Sequence, residues 1–402
     1  MNTAPDAPPE FLRADMVDQI VKARPRSARV EKVMHTVPRH RFLPETLLKD
    51  AYAPNKAVIT KRAADGTALS CSSVPTLVAT MLDQLNVEPG DRILEIGAGT
   101  GINAAYLAEL TGRSGHVTTV DIDPQVTAQA RQALDANGYG HIQVITRDGA
   151  LGAAEHAPFD RIIVTVGAWD IPPAWWDQLR PGGRLVVPLR WRGQTRSIAL
   201  THGDQQLRSD SVELCGFVPM IGQPGEHSAT IDAGQRVTLY WDTDQPINPS
   251  DLQGVLNHPK TATWSSVTVG PNEPFDGVWL RLTATEPGTC RIAASTEAVE
   301  TGLCMPAIAI RSPAIAENAS LAYFAQRRLD DEDTGRRWEL GAIGHGPKGP
   351  ELAERLADQI RAWSHNRTCH PLITIAPPSA RPGLPRDEGA IEKPGAHLKI
   401  EY

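Results

Sequence analysis

Apolar positions along this chain follow two rhythms. Between Val74 and Asn86, Leu77, Val78, Met81, Leu82 and Leu85 recur three and four apart, which predicts one helical face, with Pro75 in the first turn. Short, nearly continuous apolar runs then alternate with helical stretches. RILEIGAG (92–99) reads as a buried strand running into a glycine turn, and INAAYLAELTG (102–112) as a helix stopped by Gly112. HVTTVDID (116–123), IQVITRDG (142–149), FDRIIVTVGA (159–168) and RLVVPLRW (184–191) continue the strands. PQVTAQARQALDANG (124–138) and PPAWWDQLRPGG (172–183) supply helices between them. Strands separated by helices of this length predict an α/β fold, a doubly wound parallel sheet covered on both faces.

Outside that block the texture changes. Residues 1–10 are rich in Pro and Ala and are expected to be disordered. Phe11 to about Lys49 is mostly helical in pattern, broken at Pro25, Pro38 and Pro44. Beyond Gly222, RVTLYW, TWSSVTVG and VWLRLTA alternate with Pro and Gly breaks, and 349–366 forms one amphipathic helix followed by strand-like PLITIA. The expected division is a first domain at 11–222, a second, smaller α+β domain at 223–376, and a proline-rich flexible tail at 377–402.

Composition narrows the class. A chain of 402 residues with 41% hydrophobic and 22% charged residues suits a globular protein of two domains. No apolar run approaches a membrane span, and the N-terminus lacks a basic segment followed by an apolar one, so a cytoplasmic protein without a membrane partner is expected. The five cysteines are widely spaced without a CxxC pair, and the histidines show no ligand spacing, so neither a disulfide framework nor a metal is expected. Net charge is −7, yet residues 22–62 carry eleven Lys or Arg against three acids, making that segment +8. It is either a solvated helical face or a field that draws an acidic substrate. An acidic total and 5% aromatic content give no support to nucleic-acid binding.

The sharpest local signal is Glu95-Ile-Gly97-Ala98-Gly99-Thr100-Gly101, between a predicted strand and a predicted helix. Glycines there allow a tight turn and close approach of a ligand to the backbone. The spacing is GxGxG and not the GxGxxG of dinucleotide folds. Asp121, followed by Ile122, ends the next strand where a carboxylate can accept ribose hydroxyls, and Asp148-Gly149 follows the third strand at the adenine edge. Together they describe a class I methyltransferase using S-adenosylmethionine; the plain alternative is an ordinary βαβ turn with solvated acids.

Further stretches carry a more particular likeness. They are Val37-Pro-Arg39-His-Arg-Phe42-Leu-Pro44, Ala51-Tyr52, Ser73-Val-Pro75, LEIGAGTG, RDG (147–149), PFDRIIVT (158–165), QLRPGGRLVVP (178–188) and Phe217-Val-Pro219. In order and spacing, the chain from roughly Val17 to Gly222 resembles the protein-L-isoaspartate O-methyltransferases. The resemblance implies methylation of an aspartyl or isoaspartyl carboxylate in a peptide, with the Ser of Ser-x-Pro, Ser73, orienting the substrate. Ser70 and Ser72 are rivals in the run Ser70-Cys71-Ser72-Ser73, and a helix N-cap is the competing role for Ser73. The ester so formed is open to attack by the following backbone amide, which closes a succinimide and leads on to isoaspartate.

The family's repair enzymes resemble the first domain alone, with a Ser-Gln-Pro run. This chain has Ser-Cys-Ser-Ser-Val-Pro, about 180 further residues, and Trp169, Trp175 and Trp176 after the fourth strand as either packing or a peptide-contacting surface. Extended homologues of this type resemble those that tailor ribosomal peptide products such as lanthipeptides and graspetides. An acidic, constrained precursor peptide is therefore the expected partner, with isoaspartyl repair and small-molecule carboxyl methylation as alternatives.

Overall fold

The computed structural model describes residues 7–223, 225–331, 335–378 and 390–402. The chain divides into two compact units, 1–189 with 195–223, and 190–194 with 224–402.

The first unit opens with helices α1 (Pro9–Ala23), α2 (Ala28–Thr36) and α3 (Leu48–Ala51). Helix α1 therefore begins inside the stretch expected to be disordered, at a proline suited to a first turn; residues 1–6 lie outside the described residues. Strands β1 (Val58–Arg62) and β2 (Ala68–Ser72) form an antiparallel hairpin, followed by α4 (Pro75–Leu85). The alternating core then runs β3 (Arg92–Ile96), α5 (Ile102–Thr111), β4 (His116–Asp121), α6 (Pro124–Ala136), β5 (Gln143–Thr146), β6 (Phe159–Val164), α7 (Pro173–Gln178) and β7 (Leu179–Trp191).

Strand order here is β7-β6-β3-β4-β5, and every neighbouring pair is parallel. This is the class I methyltransferase fold expected from the alternating pattern. Strands β8 (Gln194–Gly203) and β9 (Gln206–Leu214) extend the sheet as an antiparallel pair, which the alternating pattern did not foretell. One core packs a single face of the sheet: Ile93, Leu82, Leu85, Tyr106, Leu107 and Leu134 are buried in it with Met16, Ile20 and Met34 of the N-terminal helices. No helix among the described residues is long and apolar enough to cross a membrane.

The second unit holds a seven-stranded sheet in the order β10-β11-β13-β14-β15-β16-β12. These strands are Glu226–Thr230, Val237–Asp242, Thr289–Ala294, Ser312–Glu317, Ser320–Asp331, Gly335–His345 and Thr261–Val269 respectively. Helices α8 (Asp276–Thr285) and α10 (Gly349–Ser364) pack with Val267, Phe324 and Leu340, and α9 (Thr296–Glu300) lies by the other core. Its end corrects the expected tail. Residues 379–389 lie outside the described ones, but β18 (Ile391–Lys393) and β19 (Ala396–Glu401) are strands, and β19 pairs antiparallel with β17 (Leu372–Ala376). Ala396, Leu398 and Ile400 alternate inward, a period-two pattern hidden by the surrounding prolines.

Candidate active site

The parallel sheet reverses direction of winding between β3 and β6: the chain adds β4 and β5 on one side of β3, then returns to place β6 on the other. Ligands of open α/β sheets bind beyond the carboxyl ends of the strands at such a point. Here that point is a pocket bounded by the glycine loop after β3, the ends of β4 and β5, the β1–β2 hairpin and residues 217–221. Ser70, Ser72, Ser73, Glu95, Gly97, Ala98, Gly99, Thr100, Asp121, Ile122, Asp148 and Gly149 all line it. Gly101 stands apart from the lining. It is the N-cap of α5 at φ 82°, with Leu134 Cγ 3.1 Å from where a Cβ would stand, so its task is close packing.

The loop is held from both sides. Gly97 N–H donates to Val120 O at 2.7 Å, and Thr165 Oγ1 donates to the carbonyls of Ile96 (3.0 Å) and Gly97 (2.7 Å). Gly97 has φ 104°, and a Cβ there would fall 2.5 Å from Thr165 Oγ1. Asp121 accepts from the backbone N–H groups of Gly99 (3.2 Å) and Asp123 (3.1 Å), while burial raises its pKa above the usual carboxylate value. Glu95 is fully buried between elements: Asn103 Nδ2 of α5 donates to one oxygen at 2.8 Å and Thr119 Oγ1 of β4 to the other at 2.6 Å. Burial pushes its pKa up to about 7, against those two hydrogen bonds.

At the far end, Asp148 accepts from Ala150 N–H at 2.9 Å, and a Cβ on Gly149 would stand 2.5 Å from Ile96 Cγ2. Trp175 Nε1 fixes Gly149 by donating to its carbonyl at 2.8 Å. Trp169 and Trp175 are buried, and Trp176 is half-buried, edge-on to His202. Trp169 and Trp175 thus pack the fold and offer a peptide no exposed surface.

The three serines differ in environment. Ser70 Oγ accepts from Thr60 Oγ1 across the hairpin at 3.1 Å. Ser72 is 2% exposed, and its hydroxyl has no partner among the described residues. Ser73 lies beside the Cys71 thiol, whose pKa burial raises. Helix α4 starts at Pro75 with Val74 as N-cap and no side-chain cap, so Ser73 does not serve as the helix cap.

Three contributors escaped the sequence reading as site residues. Thr165 clamps the glycine loop, Lys61 lines the pocket and pairs with Asp123, and Arg39 is buried behind the serine run. Arg39 lies in the quoted Val-Pro-Arg stretch, which was the available signal. The basic segment is largely spent within the fold. Arg24, Arg26, Arg29, Lys56 and Lys61 pair with Glu213, Asp83, Glu88, Asp50 and Asp123, and Arg62 donates to Gly66 O. Among the described residues, no group of three His, Cys, Asp or Glu is placed to hold a metal.

The pocket suits S-adenosylmethionine on its own geometry. Gly99 leaves open space where a Cβ would stand, with nothing nearer than Cys71 O at 3.8 Å. Gly97 and Gly149 let the loop and the β5 turn pack closely on Thr165 and Ile96, and a carboxylate stands at the ends of β4 and β5. Val126, Phe217 and Met220 offer apolar surface between them.

Comparison with known proteins agrees. Residues 12–225 match the family described as protein-L-isoaspartate(D-aspartate) O-methyltransferase. The protein-L-isoaspartate O-methyltransferase of Methanopyrus kandleri is 39% identical over 202 residues, covering 50% of this chain and 86% of that protein. That of Methanococcoides burtonii is 39% identical over 205 residues, 51% of this chain and 98% of its own. A solved protein-L-isoaspartate O-methyltransferase shares the fold over 96% of this chain and 99% of its own, with a TM-score of 0.51 at 19% identity. This chain belongs to the protein-L-isoaspartate(D-aspartate) O-methyltransferase family, and it is an S-adenosylmethionine-dependent carboxyl O-methyltransferase.

Proposed function

We propose that the enzyme methylates one aspartyl or isoaspartyl carboxylate in a ribosomally made, conformationally constrained precursor peptide, with the second unit selecting that peptide. The observation behind this finer assignment is the division of the chain. The two archaeal relatives match only its first half, whereas 224–402 forms a unit with its own sheet and cores. A unit added to the methyltransferase fold is the natural place for such selection, although a solved protein-L-isoaspartate O-methyltransferase also aligns over 96% of this chain. The precursor is made in the cytoplasm, where this enzyme is expected to act on it.

The chemistry asks little of the protein beyond alignment. An aspartyl carboxylate has a pKa of about 4, so it is ionised at neutral pH and needs no base. S-adenosylmethionine supplies a methyl group on a sulfonium, and a carboxylate oxygen takes that methyl in line as the carbon–sulfur bond breaks. Gly97, Gly99 and Asp121 hold one reactant; Ser73 donates a hydrogen bond to the carboxylate and orients it without becoming a nucleophile. Fixing two reactants in this way supplies about 7–11 kcal/mol of a barrier in favourable cases. Val78, Met81 and Phe217 in the pocket wall limit water around the reacting oxygen. The ester carbon is then attacked by the following backbone amide nitrogen; methanol leaves, a succinimide closes, and water opens it to aspartate or isoaspartate.

General repair of isoaspartyl residues is the second reading, and the naming of the relatives as protein-L-isoaspartate O-methyltransferases favours it. Mass spectrometry separates the two. The enzyme is given S-adenosylmethionine with a linear isoaspartyl peptide, or with a cyclised aspartyl precursor from a neighbouring gene. Methyl gain followed by methanol loss on the cyclised peptide alone supports tailoring. Methylation of the linear peptide alone assigns repair and removes the tailoring role.

A further inference from the structure

Arg39 is 1% exposed, yet no carboxylate neutralises it among the described residues. Its guanidinium instead donates to three backbone carbonyls: Nε to Ala51 O at 2.8 Å, and Nη2 to Ser73 O at 2.9 Å and Ser72 O at 3.4 Å. Tyr106 of α5 lies beside it, and burial lowers the pKa of the Arg39 guanidinium. Burying a cation without a counter-ion is costly, and a neutral side chain of similar volume fills a core more cheaply. What the guanidinium gives in return is geometry, since its planar fork sets the directions of several acceptors at once.

The carbonyls it holds are those that most need holding. Strand β2 ends at Ser72 and helix α4 starts at Pro75, so Ser73 and Val74 make the turn between them. The helix start is anchored separately, because Thr76 N–H and Oγ1 both donate to Pro54 O. Rotation of the peptide planes at 72–74 would swing the Ser73 side chain relative to the pocket, and Arg39 is the side chain that binds those planes by their oxygens.

We infer that Arg39 is a positioning residue for methyl transfer: it fixes the backbone of Ser72 and Ser73 so that the Ser73 hydroxyl meets the substrate carboxylate. The inference rests on the role given to Ser73 above. The experiment is a double-mutant cycle in the full-length enzyme with Arg39→Lys, Ser73→Ala and the pair, using an isoaspartyl or aspartyl peptide that the wild type methylates. Rates are read with product-cofactor affinity by calorimetry and with thermal stability. Lysine keeps the charge but not the fork.

The expected result is that Arg39→Lys lowers kcat about tenfold to a hundredfold and moves KM and S-adenosylhomocysteine affinity less than about threefold. In the Ser73→Ala background the same change costs little further. Full, multiplicative losses in the two variants overturn the positioning role and leave Ser73 standing. A Ser73→Ala enzyme with wild-type kcat removes the serine's role instead. Failure of Arg39→Lys to fold, or parallel loss of cofactor affinity, makes the guanidinium a general support of the core and ends the proposal.

Discussion

Lys61, on the first strand of the hairpin, is paired with Asp123, the carboxylate that also caps helix α6 through the N–H groups of Gln125 and Val126. One ion pair thus ties the hairpin over the pocket to the loop that follows Asp121. Both side chains are about a quarter to a third exposed, so the pair contributes under about 1 kcal/mol to folding. Its effect should be felt at the pocket. Lys61→Met is expected to weaken S-adenosylhomocysteine binding about three- to tenfold by calorimetry, with a melting point near that of the wild type. An unchanged affinity would show that the hairpin is held without this pair.

Asp121 carries a stronger expectation. It accepts from two backbone N–H groups and keeps further lone pairs for hydroxyls of a bound ribose. Hydrogen bonds to a charged acceptor contribute about 1.5–3 kcal/mol each. Asp121→Ala should therefore lower cofactor affinity about a hundredfold or more while leaving the fold intact, since its backbone partners lie at the pocket edge. Equilibrium binding of S-adenosylhomocysteine checks this, and a loss below tenfold rules out a ribose contact.

The parallel sheet was legible because its strands are short apolar runs, buried in all but the edge strand β5, and each helix between them carries its own proline start or glycine stop. Lining residues such as Asp121 and Gly149 follow directly from strand ends. Other features depend on partners far along the chain. Thr165 matters because β6 lies beside β3, and Arg39 because α3 and β2 meet over it. The Val37-Pro-Arg39 stretch marks the position of Arg39 but not its burial or its acceptors, which lie 12 and 34 residues further on. Strands β8 and β9 were missed because they break the strand–helix alternation, and β19 because its alternation follows a proline-rich stretch.

Glu95 predicts a pH dependence. Its pKa in the folded protein is about 7, above the ordinary 4.5, because burial disfavours the charge more than Thr119 and Asn103 favour it. The protonated form is thus the one stabilised by folding. That contribution is fully present below pH 4.5 and is lost as pH rises through about 7, a change of roughly 3 kcal/mol. Glu95→Gln stays neutral, and the Asn103 amide can turn its oxygen toward it. Urea unfolding of the cofactor-free proteins from pH 5 to pH 8 should show the wild type losing stability relative to the variant as pH rises. A constant difference across that range contradicts the burial argument.

The serine run gives the most discriminating prediction, because its three hydroxyls have three different surroundings. Ser70 accepts from Thr60 on the hairpin, so Ser70→Ala should cost a fraction of a kcal/mol in stability and reduce methyl transfer only weakly. Ser72 has a buried hydroxyl with no partner among the described residues. Removing an unsatisfied buried group relieves its desolvation cost, so Ser72→Ala should be neutral or stabilising in thermal unfolding. Ser73 sits at the turn into α4, next to the Cys71 thiol, and no capping role competes for it. If it donates to the reacting carboxylate, Ser73→Ala forfeits one charge-assisted hydrogen bond, and kcat should fall about ten- to a hundredfold with cofactor affinity retained. Steady-state rates with one peptide rank the three. A larger fall for Ser72→Ala than for Ser73→Ala would move the contact one residue earlier, to a hydroxyl whose unmet hydrogen bond is then filled by substrate.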